Sequence, residues 1–263
     1  MGVTVVESVI DAVQANLFHQ SGPDPSLYTG VEKRDQAAVL IPLILDPNTD
    51  SVSVILTRRA LGRESYPGEV EFAGDHMQDV DSDIVDTAER GALEGIGLDP
   101  MTLQFAGILK PFTNEQKLLV TPVIAYVDIH SYFGDEQMNP NECDASLAAY
   151  VVHNLQPNPA LVESAFSVPL DYFLHTKDYT VHQFEADDGS GRTWQFGAFN
   201  HIEDEFGRDF RVWGQTAHLL INVATLALGR KPDFQVVEYE PRPEWTFGMT
   251  LYQEAPLVIL HEC

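Results

Sequence analysis

The stretch Tyr66-Pro67-Gly68-Glu69-Val70-Glu71-Phe72-Ala73-Gly74-Asp75, followed by Asp79, Asp81 and Asp83 and then by Arg90-Gly91-Ala92-Leu93-Glu94-Gly95-Ile96-Gly97-Leu98, decides how the chain is read. A Gly-rich loop runs through an acidic segment into a helix predicted over Ser82 to Gly95. Ser82 is the expected N-cap, Asp83 and Asp86 fall in the first turn, where carboxylates suit the helix dipole, and Gly97 ends the helix. Upstream, Ala37 to Leu45 and Ser51 to Thr57 are apolar, β-branched runs separated by Asp46-Pro47-Asn48-Thr49-Asp50, the pattern of a strand hairpin. Downstream, Phe105 to Leu109 and Leu118 to Val127 read as strands, and Thr216 to Leu228 as an apolar helix closed by Gly229. Mixed strands and helices without a βαβα alternation indicate an α+β fold.

The flanks add three embellishments to one domain spanning residues 1–263, with a core at about 37–237. Val6, Val9, Ile10, Val13 and Leu17 recur at helical spacing, so residues 1–30 are expected to hold an amphipathic helix and a linker broken by Gly22-Pro23-Asp24-Pro25. Tyr132 to Pro159, rich in Asn and Pro, reads as an insertion loop over 132–159. Residues 240–263 form a C-terminal extension in which Ala255 to His261 is a candidate edge strand.

The 263 residues include 15 basic and 40 acidic side chains, a formal charge of −25 that excludes a general nucleic-acid binder, since a phosphate backbone is held by Lys and Arg. Cys143 and Cys263 give neither a disulfide framework nor a cysteine zinc site. No run approaches the roughly 18 apolar residues of a membrane span, so no membrane partner and a cytoplasmic location are expected. The expected partner is a small molecule, with a homodimer allowed for.

At this point the chain resembles the Nudix family, and more closely its coenzyme A diphosphatase branch. The family's loop, helix and loop follow G-x5-E-x7-R-E-U-x-E-E-x-G-U, and the resemblance implies a mixed β-sheet sandwiched between helices, with glutamates on one helix face holding Mg²⁺ against a diphosphate. The branch adds an upstream pattern on which Leu56, Thr57, Arg59, Ala60, Gly68, Phe72 and Gly74 fall at the right spacings. Leu119-Val120-Thr121-Pro122, Val168-Pro169-Leu170 and Trp213-Gly214-Gln215-Thr216-Ala217 resemble its later landmarks.

The departures from the motif cluster where the metal is expected. Gly91 and Gly95 replace two of three helical glutamates and only Glu94 remains; Asp75 stands at the opening Gly of the box, Asp81 at its first acidic position, and Glu64 where the branch has an arginine, with Arg63 displaced by one. Residues 91, 94 and 95 share one helix face, and each mid-helix Gly costs about 1 kcal/mol relative to Ala, so the pair is expected to leave space for a ligand. In an apolar pocket Glu94 would serve as a general acid or hydrogen-bond donor, with Asp75 and His76 as further catalytic candidates. Arg59, Arg63, Tyr66, Phe72, Arg90, Gly91 and Gly95 are the candidate substrate-binding residues, and Phe112, Trp194, Phe196, Phe199 and Trp213 candidate pocket aromatics. The expected function is a metal-independent rearrangement, cyclisation or isomerisation of a largely apolar small molecule in a biosynthetic setting, with no cofactor. Two alternatives stand beside it: a Mg²⁺-dependent hydrolase of coenzyme A or a nucleoside diphosphate derivative, of reduced activity, with Asp79, Asp81 and Glu94 as improvised ligands, and a non-catalytic small-molecule-binding protein.

Overall fold

The computed structural model describes Val9 and residues 25–47, 49–114, 116–129, 132, 146–185, 193–204 and 207–237. In chain order they form β1 (Gln36–Asp46), β2 (Ser51–Arg59), β3 (Val70–Glu71), β4 (Gly74–His76), α1 (Ile84–Ile96), β5 (Leu103–Ile108), β6 (Phe112–Thr113), β7 (Leu119–Val127), α2 (Leu147–Asn154), β8 (Val162–Pro169), β9 (Tyr179–Glu185), β10 (Thr193–Glu203), β11 (Asp209–Trp213) and α3 (Gly214–Leu228). Among these residues no helix is long and apolar enough to cross a membrane.

An eight-stranded mixed sheet runs β3-β2-β1-β7-β5, with β4 on β1, β6 on β7 and β8 on β2; β1 and β7 are parallel. The alternation of β1 distributes its side chains to two cores. Ala38, Leu40 and Ile44 face the layer holding Ile84, Ala88, Ala92 and Ile96 of α1 and Val151 and Val152 of α2. Ile41 and Leu43 face the layer holding Leu220, Val223, Ala224 and Ala227 of α3. The result is the sheet between helices that the sequence implied, in the α+β class. A separate antiparallel sheet, β11-β10-β9, was not anticipated from sequence.

One edge of β1 changes partner along its length. Ala37 to Val39 pair with β4, whereas Leu43 to Asp46 pair with β2, so β2 and β4 part from one another beside the middle of β1. The walls of the main cavity among the described residues come from the strands on either side of this parting.

Two details differ from the sequence reading. Asp83, not Ser82, caps α1: its backbone is extended, φ −152° and ψ −171°, and its carboxylate accepts from the backbone N–H groups of Val85 and Asp86. Gly97 ends the helix as expected, in the left-handed conformation at φ 71°. The stretch 132–159 is not simply a loop, because α2 lies in it, capped by Ser146 and burying Ala148, Val151 and Val152. The expected N-terminal helix falls outside the described residues except for Val9, which is helical and fully buried, and the 240–263 extension with its edge strand lies outside them altogether.

The two helix glycines serve different ends. A Cβ on Gly91 would lie 2.6 Å from the carbonyl carbon of Gly74 and 2.8 Å from the Asp75 nitrogen, and a Cβ on Gly74 would lie 2.2 Å from the Ala38 carbonyl oxygen. Backbones of β1, β4 and α1 therefore stack without intervening side chains, and Gly91 is required by packing. A Cβ on Gly95 meets only Val162 Cγ2, at 3.9 Å. Gly91→Ala is expected to destabilise by about 1 to 3 kcal/mol through overpacking, and Gly95→Ala to be neutral or stabilising by up to about 1 kcal/mol. Denaturant midpoints of the two variants check the difference in sign.

Candidate active site

A cavity of about 840 Å³ is bordered by the first half of β1, the end of β2, β3, β4, the Gly91 to Gly95 face of α1, the turn around Phe112 to Gln116 and the start of α3. Among the candidate residues, Glu94, Asp75, His76, Arg59, Arg63, Tyr66, Phe72, Gly91 and Gly95 all border it. Tyr66 does so in a left-handed backbone conformation, φ 51°, unusual for a residue with a side chain. Arg90, Asp79 and Asp81 do not border the cavity: Asp79 sits on an exposed turn and the other two lie behind the wall. Of the aromatic candidates, Phe112 and Trp213 border the cavity, while Phe199 is fully buried in the core. Trp194 has no described side chain.

Behind the wall, Arg90 braces three elements. The Asp81 carboxylate, 2 % exposed, accepts from Arg90 Nε at 2.8 Å and Nη2 at 3.0 Å, from Thr87 Oγ1 at 3.0 Å and from the Gln78 backbone N–H at 2.8 Å. Arg90 Nη1 also donates to Asp75 at 2.7 Å and to Glu94 at 3.5 Å, and Nη2 to the His76 carbonyl at 2.8 Å. These bonds, the Arg90 guanidinium first among them, hold the Asp81 carboxyl down at about 2. Arg90 is thus a positioning residue that sets Asp75, His76 and Glu94 on the cavity wall, and Asp81 is its anchor.

That anchor has a pH signature. A carboxyl depressed on folding adds stability that is complete above its ordinary value of 3.8 and is lost as pH falls from there through about 2. Asp81→Asn is expected to remove roughly 2 kcal/mol of stability at neutral pH. It is also expected to flatten the fall in stability between pH 4 and 2, measured as denaturant midpoint against pH.

Inside the cavity the charges are unevenly matched. Arg59, 13 % exposed, bonds both oxygens of Glu71, at 2.7 and 2.6 Å, and the Ser65 carbonyl at 3.0 Å. Burial nevertheless pushes the Glu71 carboxyl above the usual range, with Arg59 opposing the shift. Arg63 borders the cavity as well, and its charge also acts to lower the Glu71 carboxyl. Arg58 is turned away, to the Gly68 carbonyl and Glu163. Glu69 accepts from the indole Nε1–H of Trp213. Sequence reasoning missed Glu69 and Glu71; the alternation Glu69-Val70-Glu71, which buries Val70 and turns both acids the other way, was the available signal.

The donor set does not reproduce the family's metal arrangement. Among the described residues no three His, Cys, Asp or Glu side chains gather as a group able to hold a metal ion. Gly91 and Gly95 occupy two ligand positions, Asp81 is committed to Arg90 and Thr87, and Asp79 stands apart; Glu94, 49 % exposed, is left with Asp75 at its side.

No protein-family model matches the chain. It is 31% identical over 214 residues to the peroxisomal coenzyme A diphosphatase of Mus musculus, an alignment covering 80% of this chain and 79% of that protein. It is 30% identical over 211 residues to the chloroplastic Nudix hydrolase 22 of Arabidopsis thaliana, covering 80% of this chain and 61% of that one, so it spans less than two thirds of the plant relative. Among solved structures it is similar to the Nudix hydrolase RenU of M. smegmatis, with a TM-score of 0.37 and 19% identity over 52% of this chain and 72% of the other. The relatives overturn two expectations. They are named as hydrolases, which contradicts rearrangement, cyclisation or isomerisation as the reaction. A reaction without cofactor is contradicted too, because Nudix hydrolases characteristically use a divalent metal such as Mg²⁺. The chain belongs to the Nudix hydrolase family, close to its coenzyme A diphosphatase branch.

Proposed function

We propose that this protein hydrolyses the diphosphate link of a coenzyme A or nucleoside diphosphate derivative, more slowly than a Nudix enzyme with a full set of helical glutamates. The observation that carries the reading is the cavity itself: Arg63 and Glu94 border the same 840 Å³ space in a chain with hydrolase relatives. Arg63 binds a phosphate oxygen as the substrate enters. Glu94, as the exposed helix carboxylate, takes a proton from the attacking water. Water oxygen bonds to one phosphorus, the P–O–P bridge breaks, and two phosphate monoesters leave.

The lining carries two arginines, Arg59 and Arg63, against five carboxylates, Glu64, Glu69, Glu71, Asp75 and Glu94. Such a wall repels a diphosphate, and a divalent cation supplies the missing positive charge when bound. With one glutamate left on the helix face, demand for that cation is expected to be high and affinity for it low.

The test is release of phosphate monoesters from coenzyme A, ADP-ribose and dinucleotide substrates. Turnover is expected below about 1 s⁻¹, at or under the low end of enzyme rates, to need millimolar Mg²⁺ and to vanish on chelation. Glu94→Gln is expected to slow it about 100-fold or more. No hydrolysis of any of these substrates with millimolar Mg²⁺ would leave a non-catalytic binding protein, and unchanged turnover in Glu94→Gln would remove Glu94 from the mechanism.

A further inference from the structure

On the cavity side of β2 and β3 an arginine is already occupied by an anion of the protein's own. Thr57 stands opposite Glu71 in the strand register, and Arg59, two residues on, shares its side of the sheet. From there Arg59 Nη1 donates to both oxygens of Glu71, while its Nε donates to the Ser65 carbonyl. Both side chains border the cavity. The pair is not needed to join the strands: Thr57 Oγ1 donates to the Glu71 carbonyl, Arg58 Nε to that of Gly68 and the Arg59 backbone N–H to that of Glu69, so β3 and the loop before it are tied to β2 without any carboxylate. Nor does the pair fill the core, since the Glu71 side chain stays 37 % exposed.

A guanidinium that holds a carboxylate holds a phosphate oxygen with the same donors, because each presents anionic oxygens to its N–H groups. Burial raises the Glu71 carboxyl, and Arg59, followed by Arg63, acts to keep it ionised. The carboxylate and an incoming anion therefore compete for one charge. With Arg59 and Glu71 cancelling, Arg63 is the remaining arginine of the lining. From this geometry we propose that Glu71 masks an anion subsite at Arg59: a substrate phosphate has to displace the carboxylate, and Glu71 thereby sets how weakly the cavity holds a diphosphate. The glycines of α1 weaken the hold on the metal, whereas Glu71 weakens the hold on the anion. The inference rests on the reading that the cavity takes a diphosphate, and it assigns part of the low activity expected there to substrate affinity.

The probe is methylenediphosphonate, whose P–C–P unit is not hydrolysed, titrated calorimetrically into the full chain with millimolar Mg²⁺. Glu71→Gln, which keeps the shape and removes the charge, is expected to tighten binding about tenfold or more, the worth of one hydrogen bond to a charged group. Adding Arg59→Met to Glu71→Gln is expected to abolish that gain. Glu64→Gln, which removes a carboxylate from the same lining but not from Arg59, is expected to gain less. If Glu71→Gln fails to fold, Glu71→Thr, β-branched and suited to a strand, carries the same comparison. No tightening in Glu71→Gln, an equal gain in Glu64→Gln, or a gain that survives Arg59→Met overturns the masking role, and hydrolysis by the wild type then leaves the hydrolase reading intact. Tightening that depends on Arg59, in a protein that hydrolyses none of its candidate substrates, upholds the masked subsite and removes the hydrolase reading alone.

Discussion

The close crossing of α1 over β4 is the constraint on which the site depends. Gly91 rests on the backbone of Gly74 and Asp75, and Gly74 in turn on the Ala38 carbonyl of β1, so three backbones meet with no side chain between them. That contact fixes the height of the helix above the sheet. Arg90, the residue before Gly91, then fixes its rotation by reaching Asp81, Asp75 and the His76 carbonyl at once. Glu94 and Gly95, one turn further on, are carried to the cavity wall by this arrangement. A side chain at 91 would lift the helix and disturb every one of those bonds.

Much of the fold was legible because its determinants are local. The β1 and β2 hairpin follows from two β-branched runs around a turn, and the ends of α1 and α3 follow from glycines at 97 and 229 that take up left-handed conformations. The second sheet was not read from the sequence: β9 to β11 mix polar and aromatic residues, as in the run Thr193 to Glu203, which blurs the strand pattern, although Asp187-Asp188-Gly189-Ser190-Gly191 between β9 and β10 was an available turn signal. α2 escaped notice because eight residues flanked by Asn and Pro give too short a period to separate from a loop.

The residues singled out from the motif come together around one cavity, while the physics that places them there was less legible. The loop and helix motif placed Arg59, Arg63, Tyr66, Phe72, Asp75, His76, Glu94 and the two glycines around one cavity. Spacing alone gave Gly91 and Gly95 a common purpose, whereas only coordinates reveal that a backbone lies against the first, while a Cβ on the second would make no more than an ordinary contact with Val162 at 3.9 Å. Loss of two glutamates also suggested a change of reaction, but similarity spread over 214 residues to a coenzyme A diphosphatase weighs against reading function from two positions. The Arg59 and Glu71 pair, made by β2 and β3 lying side by side, likewise needed the strand register.

The central claim is that this is a diphosphate hydrolase slowed by a thinned set of carboxylates on α1. Gly95→Glu tests it most directly, because that position borders the cavity beside Glu94 and has room for a side chain, whereas position 91 has none. The measurement is the rate of monoester release as Mg²⁺ is titrated, variant against wild type. The account predicts a rate increase of about tenfold, worth about 1.4 kcal/mol in barrier height, and half-maximal activity at a lower Mg²⁺ concentration. A folded Gly95→Glu protein with no gain in rate and no change in Mg²⁺ requirement would contradict it.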